Sequence, residues 1–153
     1  MGLSAKRFWS TMGVVALTGA LLLTSASAAS ADYIRDKQWT IDVINFKKVW
    51  SESQGQGVTV AVVDTGVDGS HPDLTGQVLK GKDFLEANSD AQNDTDGHGT
   101  GMASLIAGHG HGANDSDGVI GLAPKAKILP IVGGVHDNFN NEQWAEGIRY
   151  AVD

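Results

Sequence analysis

Residues 58–66 read Val-Thr-Val-Ala-Val-Val-Asp-Thr-Gly. A near-continuous run of β-branched apolar residues is what a strand covered on both faces requires, as in the parallel sheets of α/β proteins. The run then delivers a carboxylate, Asp64, into a Thr65-Gly66 turn. In open α/β sheets the carboxyl ends of strands face the crevice where ligands bind, so an acid emerging there is placed for chemistry. An Asp after a strand also serves simply to cap a turn or the next helix. This stretch alone supports both readings.

Downstream, Asp68-Gly69 and His71-Pro72-Asp73 read as turns, which makes His71 a loop residue without a functional role. Residues 78–85 have room for a short edge strand. The acidic stretch 86–97, with Asp90, Asp94 and Asp96, is expected to be a solvated surface loop. His98-Gly99-Thr100 then opens a helical segment to Ala107, with Met102, Leu105 and Ile106 as its buried stripe and Gly108 as its stop. A second polar loop covers 109–118, and 119–124 lead into a further buried strand over 127–132. A last helix starts near Asn140 or Asn141 and carries Trp144, Ile148, Ala151 and Val152 on one face. It has no stop signal before Asp153, which predicts an incomplete domain.

Upstream, Val43, Phe46 and Trp50 follow helical spacing and predict a short amphipathic helix over 43–50, ended by Gly55-Gln56-Gly57. Strand, helix, strand and helix in that order predict an α/β fold with a parallel sheet and right-handed crossovers.

The first 31 residues differ in kind. Lys6 and Arg7 precede an apolar run, Val14 to Leu23, and Ala26-Ser27-Ala28 or Ala29-Ser30-Ala31 offers small-residue cleavage sites. This is the pattern of a secretory signal peptide. The run is shorter than the roughly 20 residues that span a bilayer, so a soluble product outside the cytoplasm is expected. Net charge is −7, and the leader contributes basic residues but no acidic ones, so the remainder is more acidic still. That excludes the basic surface nucleic-acid binding needs. With no cysteine in 153 residues, disulfides, thiol catalysis and cysteine metal sites are excluded as well.

His98, between Gly97 and Gly99 at a helix start, is the second candidate for chemistry. A lone loop histidine is more often structural. A carboxylate at a strand end changes that, because it can hold one ring nitrogen and stabilise the imidazolium while the other nitrogen acts as general base. Such a pair still needs a nucleophile.

The stretch from Val58 to Asp73 resembles the aspartate motif of subtilisin-like serine proteases. Asp96-Gly97-His98-Gly99-Thr100, with Ala103 and Gly108, resembles their histidine motif, and Gly118-Val-Ile-Gly-Leu-Ala-Pro124 the segment leading to the next strand. The resemblance runs from Trp39 to the end and implies the amino-terminal part of a subtilisin-like three-layer α/β domain, incomplete at its C-terminus. Residues 1–31 would then be the signal peptide, 32–57 an N-terminal extension and 58–153 a partial peptidase domain. It also implies that Asp64 orients His98, that His98 is the base, and that polypeptides are the substrates. The serine of a Gly-Thr-Ser-x-Ala motif is missing: Gly99-Thr-Gly-Met-Ala103 has Gly101 in its place. Ser104 is expected to satisfy a helix carbonyl instead. The short extension and Gln38-Trp39 resemble the mycosin branch associated with type VII secretion.

No cofactor is implied, although many relatives bind structural calcium. Asp115-Ser116-Asp117-Gly118 has the flavour of a calcium loop but lacks the later bidentate Glu. His109-Gly110-His111 suggests zinc, against which Ala113 and Asn114 stand where further ligands would be needed, so a glycine-rich loop is expected.

Overall fold

The computed structural model describes residues 31–86, 89–135, 138–139 and 141–153, so the leader up to residue 30 lies outside the described residues. The elements run α1 (Ala31–Lys37), α2 (Thr40–Val43), α3 (Phe46–Glu52), β1 (Thr59–Asp64), β2 (Lys82–Asp83), α4 (His98–Ala107), β3 (His109–His111), β4 (Asp117–Ile120), β5 (Lys127–Val132), β6 (Gly134–Val135), β7 (Asn138–Phe139) and α5 (Asn141–Val152). A 3-10 turn, Pro72–Leu74, precedes β2.

The site-bearing sheet is parallel, with strand order β1-β5-β2. Register runs from Thr59 opposite Lys127 to Asp64 opposite Val132, and Lys82 and Asp83 lie opposite Ile131 and Val132. Side chains alternate across a strand. Val62 and Ile128 therefore join Ala103 and Ala107 of α4 in one core, whereas Val63 and Ile131 meet Gly147 of α5 on the other face. Helix, sheet and helix make three layers.

Pro130 sits in the central strand, where its missing N–H would ordinarily break a ladder. Ile128 N–H donates to the Gln77 carbonyl on the β2 side and Phe84 N–H donates to the Val132 carbonyl, so the Pro130 position faces the same neighbour. Pairing there is interrupted between the Val78–Ile128 bridge and β2, and Gly81, at φ 62°, passes so close that a Cβ would stand 1.9 Å from the Pro130 carbonyl oxygen. The absent donor falls where none is used.

Four expectations are corrected. The helix expected over 43–50 is broken in two, because Asn45 takes the left-handed conformation (φ 55°, ψ 52°) that asparagine tolerates better than most residues. Residues 109–118 form an antiparallel hairpin, β3 with β4, rather than a plain loop. On α4 the buried face is Gly99, Thr100, Ala103, Ser104 and Ala107, while Met102 and Leu105 are exposed. Small residues win the inward face because the helix axis lies close to the sheet. On α5 the buried residue is Gly147, and Ile148 and Val152 point outward.

Candidate active site

β1 ends in Asp64 and α4 begins with His98, and the fold sets the two side by side. His98 Nδ1 lies 2.8 Å from Asp64 Oδ1 and 3.0 Å from Oδ2. An ionised carboxylate can only accept, so Nδ1 carries the proton and donates, leaving Nε2 as the basic nitrogen. Asp64 Oδ1 also accepts from Thr65 N–H at 2.7 Å. The carboxylate is largely covered, at 16 % side-chain exposure, while the imidazole is 65 % exposed and open to a reactant. The hydrogen bond from His98 to Asp64 and the Asp64 charge hold the imidazole above its ordinary value, outweighing the small effect of burial, and Asp96 and Asp94 add to the rise.

This contact depends on a close approach at Gly99. A Cβ there would stand 2.0 Å from the Gly66 carbonyl oxygen and 3.2 Å from the Asp64 Cβ, so only glycine lets the first turn of α4 rest on the turn after β1. Gly97, at φ 94°, turns the chain into the helix.

Asp94, expected to be a solvated charge, is instead the clamp of this junction. Its Oδ1 accepts from Thr65 Oγ1 at 2.9 Å, Gly97 N–H at 2.9 Å and Asp96 N–H at 3.2 Å. Its Oδ2 accepts from Thr100 N–H at 2.9 Å and Thr100 Oγ1 at 2.5 Å. Each hydroxyl passes the link on: Thr65 Oγ1 accepts from Gly99 N–H and Thr100 Oγ1 from Asp68 N–H. Burial alone would raise the Asp94 pKa, but donors from Thr100, Gly97 and Thr65 outweigh it and hold the carboxyl below its ordinary range. The sequence signal was available in principle, as Asp preceding a helix with a Thr inside its first turn.

Ser104 is buried and its Oγ donates to the Thr100 carbonyl at 2.8 Å, the helix back-bond expected of it. His109 Nε2 lies 3.1 Å from the Thr75 carbonyl, and His111 Nδ1 lies 2.5 Å from Asp73 Oδ1. These two histidines are thus placed on the hairpin with partners of their own and are not brought together with His98. Beside His98 an open depression of about 710 Å³ is lined by His71, Gly101, Met102 and Leu105 among others. His71, expected to be a plain loop residue, borders it, and its Nδ1 accepts from Asp73 N–H at 3.3 Å.

Comparison with known proteins bears on this geometry. The family model described as the subtilase family matches residues 55–153, which include both Asp64 and His98. The chain belongs to the subtilase family. Thermitase of Thermoactinomyces vulgaris is 40% identical over 124 residues, covering 79% of this chain and 42% of thermitase. The crystal structure of fervidolysin from Fervidobacterium pennivorans, a keratinolytic enzyme related to subtilisin, matches with TM-score 0.57 and 38% identity over 70% of this chain and 17% of that one. MycP1 from Mycobacterium smegmatis matches with TM-score 0.54 and 31% identity, over 74% of this chain and 31% of that one. Mycosins therefore stand among the relatives, beside thermitase and fervidolysin. The subtilase chain described here spans less than half the length of each, and its three-layer α/β arrangement is the corresponding part of the subtilisin-like fold.

Proposed function

We propose that this subtilase is a secreted serine endopeptidase in which Asp64 is the orienting acid and His98 the general base. The observation that carries the reading is the bond from His98 Nδ1 to both oxygens of Asp64, at 2.8 and 3.0 Å, with the ring's other edge open. That arrangement fixes the tautomer whose Nε2 can take a proton from a serine hydroxyl as it attacks a peptide carbonyl. Asp64 then stabilises the imidazolium until its proton passes to the departing amine, and water releases the acyl group through the same base. Polypeptides are the substrates that follow from this chemistry.

The nucleophile belongs, in this reading, to the part of the relatives' length that these residues do not span. Gly101 occupies the place of serine in the nearest motif, and Ser104 spends its hydroxyl proton on the Thr100 carbonyl. Secretion is supported by the leader pattern at Lys6, Arg7 and 14–23. Among the described residues no helix is long and apolar enough to cross a membrane.

A fluorophosphonate probe tests the assignment. The 153-residue chain is expected to remain unlabelled, and stoichiometric labelling of any of its serines would show the nucleophile to be misplaced. At the relatives' length, labelling is expected, and Asp64→Asn is expected to lower kcat by about 10⁴-fold. A non-catalytic truncated remnant or binding module, the second reading, is favoured by the same Gly101 and predicts no labelling at either length.

A further inference from the structure

Thr65 follows Asp64 in the sequence, and Gly99 follows His98. These two neighbours are also bonded to each other. Gly99 N–H donates to Thr65 Oγ1 at 3.0 Å, one position along from the 2.8 Å contact between His98 Nδ1 and Asp64 Oδ1. The strand end and the helix start are therefore held together twice, once through the side chains of the pair and once by a main-chain donor and a hydroxyl. Gly99 can offer only its main chain here, because a Cβ would meet the Gly66 carbonyl oxygen at 2.0 Å.

A threonine hydroxyl has one proton. That of Thr65 goes to Asp94 Oδ1 at 2.9 Å, which leaves the Thr65 oxygen free to receive Gly99 N–H. Thr100 is arranged likewise. Its hydroxyl donates to Asp94 Oδ2 at 2.5 Å and its oxygen receives Asp68 N–H at 2.9 Å, which ties the chain beyond Gly66 to the same helix turn. An ionised carboxylate only accepts, so Asp94 fixes the direction of both hydroxyl protons at once.

We propose that Thr65 and Thr100 are positioning residues for the Asp64–His98 pair: their hydroxyls, both turned toward Asp94, set how the first turn of α4 lies on the turn after β1, and with it the reach from His98 Nδ1 to Asp64. Their role rests on the reading of Asp64 as the orienting acid and His98 as the base. Both hydroxyls donate to Asp94 and to neither member of the pair, so each acts through the helix start. A methyl in place of the Thr65 hydroxyl leaves every charge around His98 unchanged. It removes the acceptor of a partly buried N–H and one donor to Asp94, and the first turn of α4 loosens. The imidazolium then loses support, because the hydrogen bond to Asp64 is the first cause of the raised His98 pKa.

The test is an NMR pH series that follows the His98 ring and its low-field Nδ1–H resonance in the native chain, Thr65→Val and Thr65→Ser. In Thr65→Val the titration midpoint is expected to fall toward 6.5 and the Nδ1–H resonance to broaden through faster exchange, and Thr65→Ser, which keeps the hydroxyl, to restore both. Thr100→Val and Thr100→Ser are expected to repeat the contrast. Should Thr65→Val not fold, Thr65→Ala carries the same comparison. At the relatives' length Thr65→Val is expected to lower kcat by about 10- to 100-fold at unchanged KM, with the rising limb of its pH profile moved to lower pH. Either valine variant with a native midpoint and a native Nδ1–H resonance overturns the proposal, as does a serine variant that fails to restore them. Failure of the peptidase reading shows separately, as absent fluorophosphonate labelling at the relatives' length while both His98 readouts move as expected.

Discussion

His98 shows how far one carboxylate can set the behaviour of one imidazole. Its pKa is raised first by the hydrogen bond to Asp64, then by the Asp64 charge, with Asp96 and Asp94 contributing. The protonated ring is therefore favoured by folding. Its contribution to stability is complete below the ordinary value of 6.5 and is lost as pH rises through the raised folded value. Catalysis by the proposed route needs the neutral ring, so activity should climb over that same raised value. Asp64→Asn is expected to bring the His98 titration down toward 6.5 in an NMR pH series, since the largest causes of the rise are removed. An unchanged midpoint would mean that Asp64 does not govern this ring. Both residues were legible in the sequence because each announces itself locally, one at the end of an apolar run and one between two glycines before a helix. Asp94 was legible only in part: its bonds to Gly97 and Thr100 are local to the helix start, but the bond to Thr65 that makes it a clamp spans 29 positions. Its lowered pKa gives stability present above 3.8 and lost as pH falls through the folded value.

At the scale of elements, α4 decides whether the pair meets. Hydrophobic periodicity looks for large side chains and so selects Met102, Leu105 and Ile106; of these Ile106 packs against the core, while Met102 and Leu105 are exposed and the helix rests on Gly99, Ala103 and Ala107. A helix packed this near a sheet has no volume for leucine beneath it, and its large residues turn outward or to the flank. β1 and β5 were legible because a near-continuous apolar run rich in β-branched residues needs no periodicity to be recognised as a strand of a parallel sheet. The β3–β4 hairpin is not legible because its strands are short and its glycines, Gly110 and Gly118 within the strands and Gly112 in the turn, are those of any loop. Gly99→Ala is the sharp test of this packing. The added methyl would meet the Gly66 carbonyl oxygen at 2.0 Å, and backbone is on the receiving side, so α4 must move. A loss of about 1–3 kcal/mol in urea unfolding is expected, together with a fall in the His98 pKa as the ring leaves Asp64. A variant with native stability and a native His98 titration would show that the approach is looser than the geometry demands.

Across the whole molecule, distant segments are joined by side chains that bond to main chain. Trp50 Nε1 donates to the Leu122 carbonyl at 2.8 Å, and Arg35 and Gln38 reach β4 and the turn before it, so the segment ahead of β1 is fastened to the far side of the domain. Gln77 does the same inside the core. It is 6% exposed, and its Nε2 donates to the Ala107 carbonyl at 2.6 Å and to the Pro124 carbonyl at 2.7 Å. Its own carbonyl receives Ile128 N–H at 3.0 Å. One residue thus joins the end of α4, the entry to β5 and the chain leading to β2. Nothing in the local sequence marks it, since a glutamine between turns reads as surface. Gln77→Leu keeps comparable bulk and removes the donor, which leaves the buried Ala107 carbonyl and the partly buried Pro124 carbonyl without it. A buried group left so costs about 1–3 kcal/mol and a partly buried one less, so a total loss of roughly 1–4 kcal/mol is expected from denaturant unfolding. Because the bonds join three elements, the loss should appear as one cooperative shift of the midpoint and not as fraying of a single element in hydrogen exchange. Faster exchange confined to the end of α4, with the global midpoint unmoved, would show that Gln77 secures one helix end and not the domain.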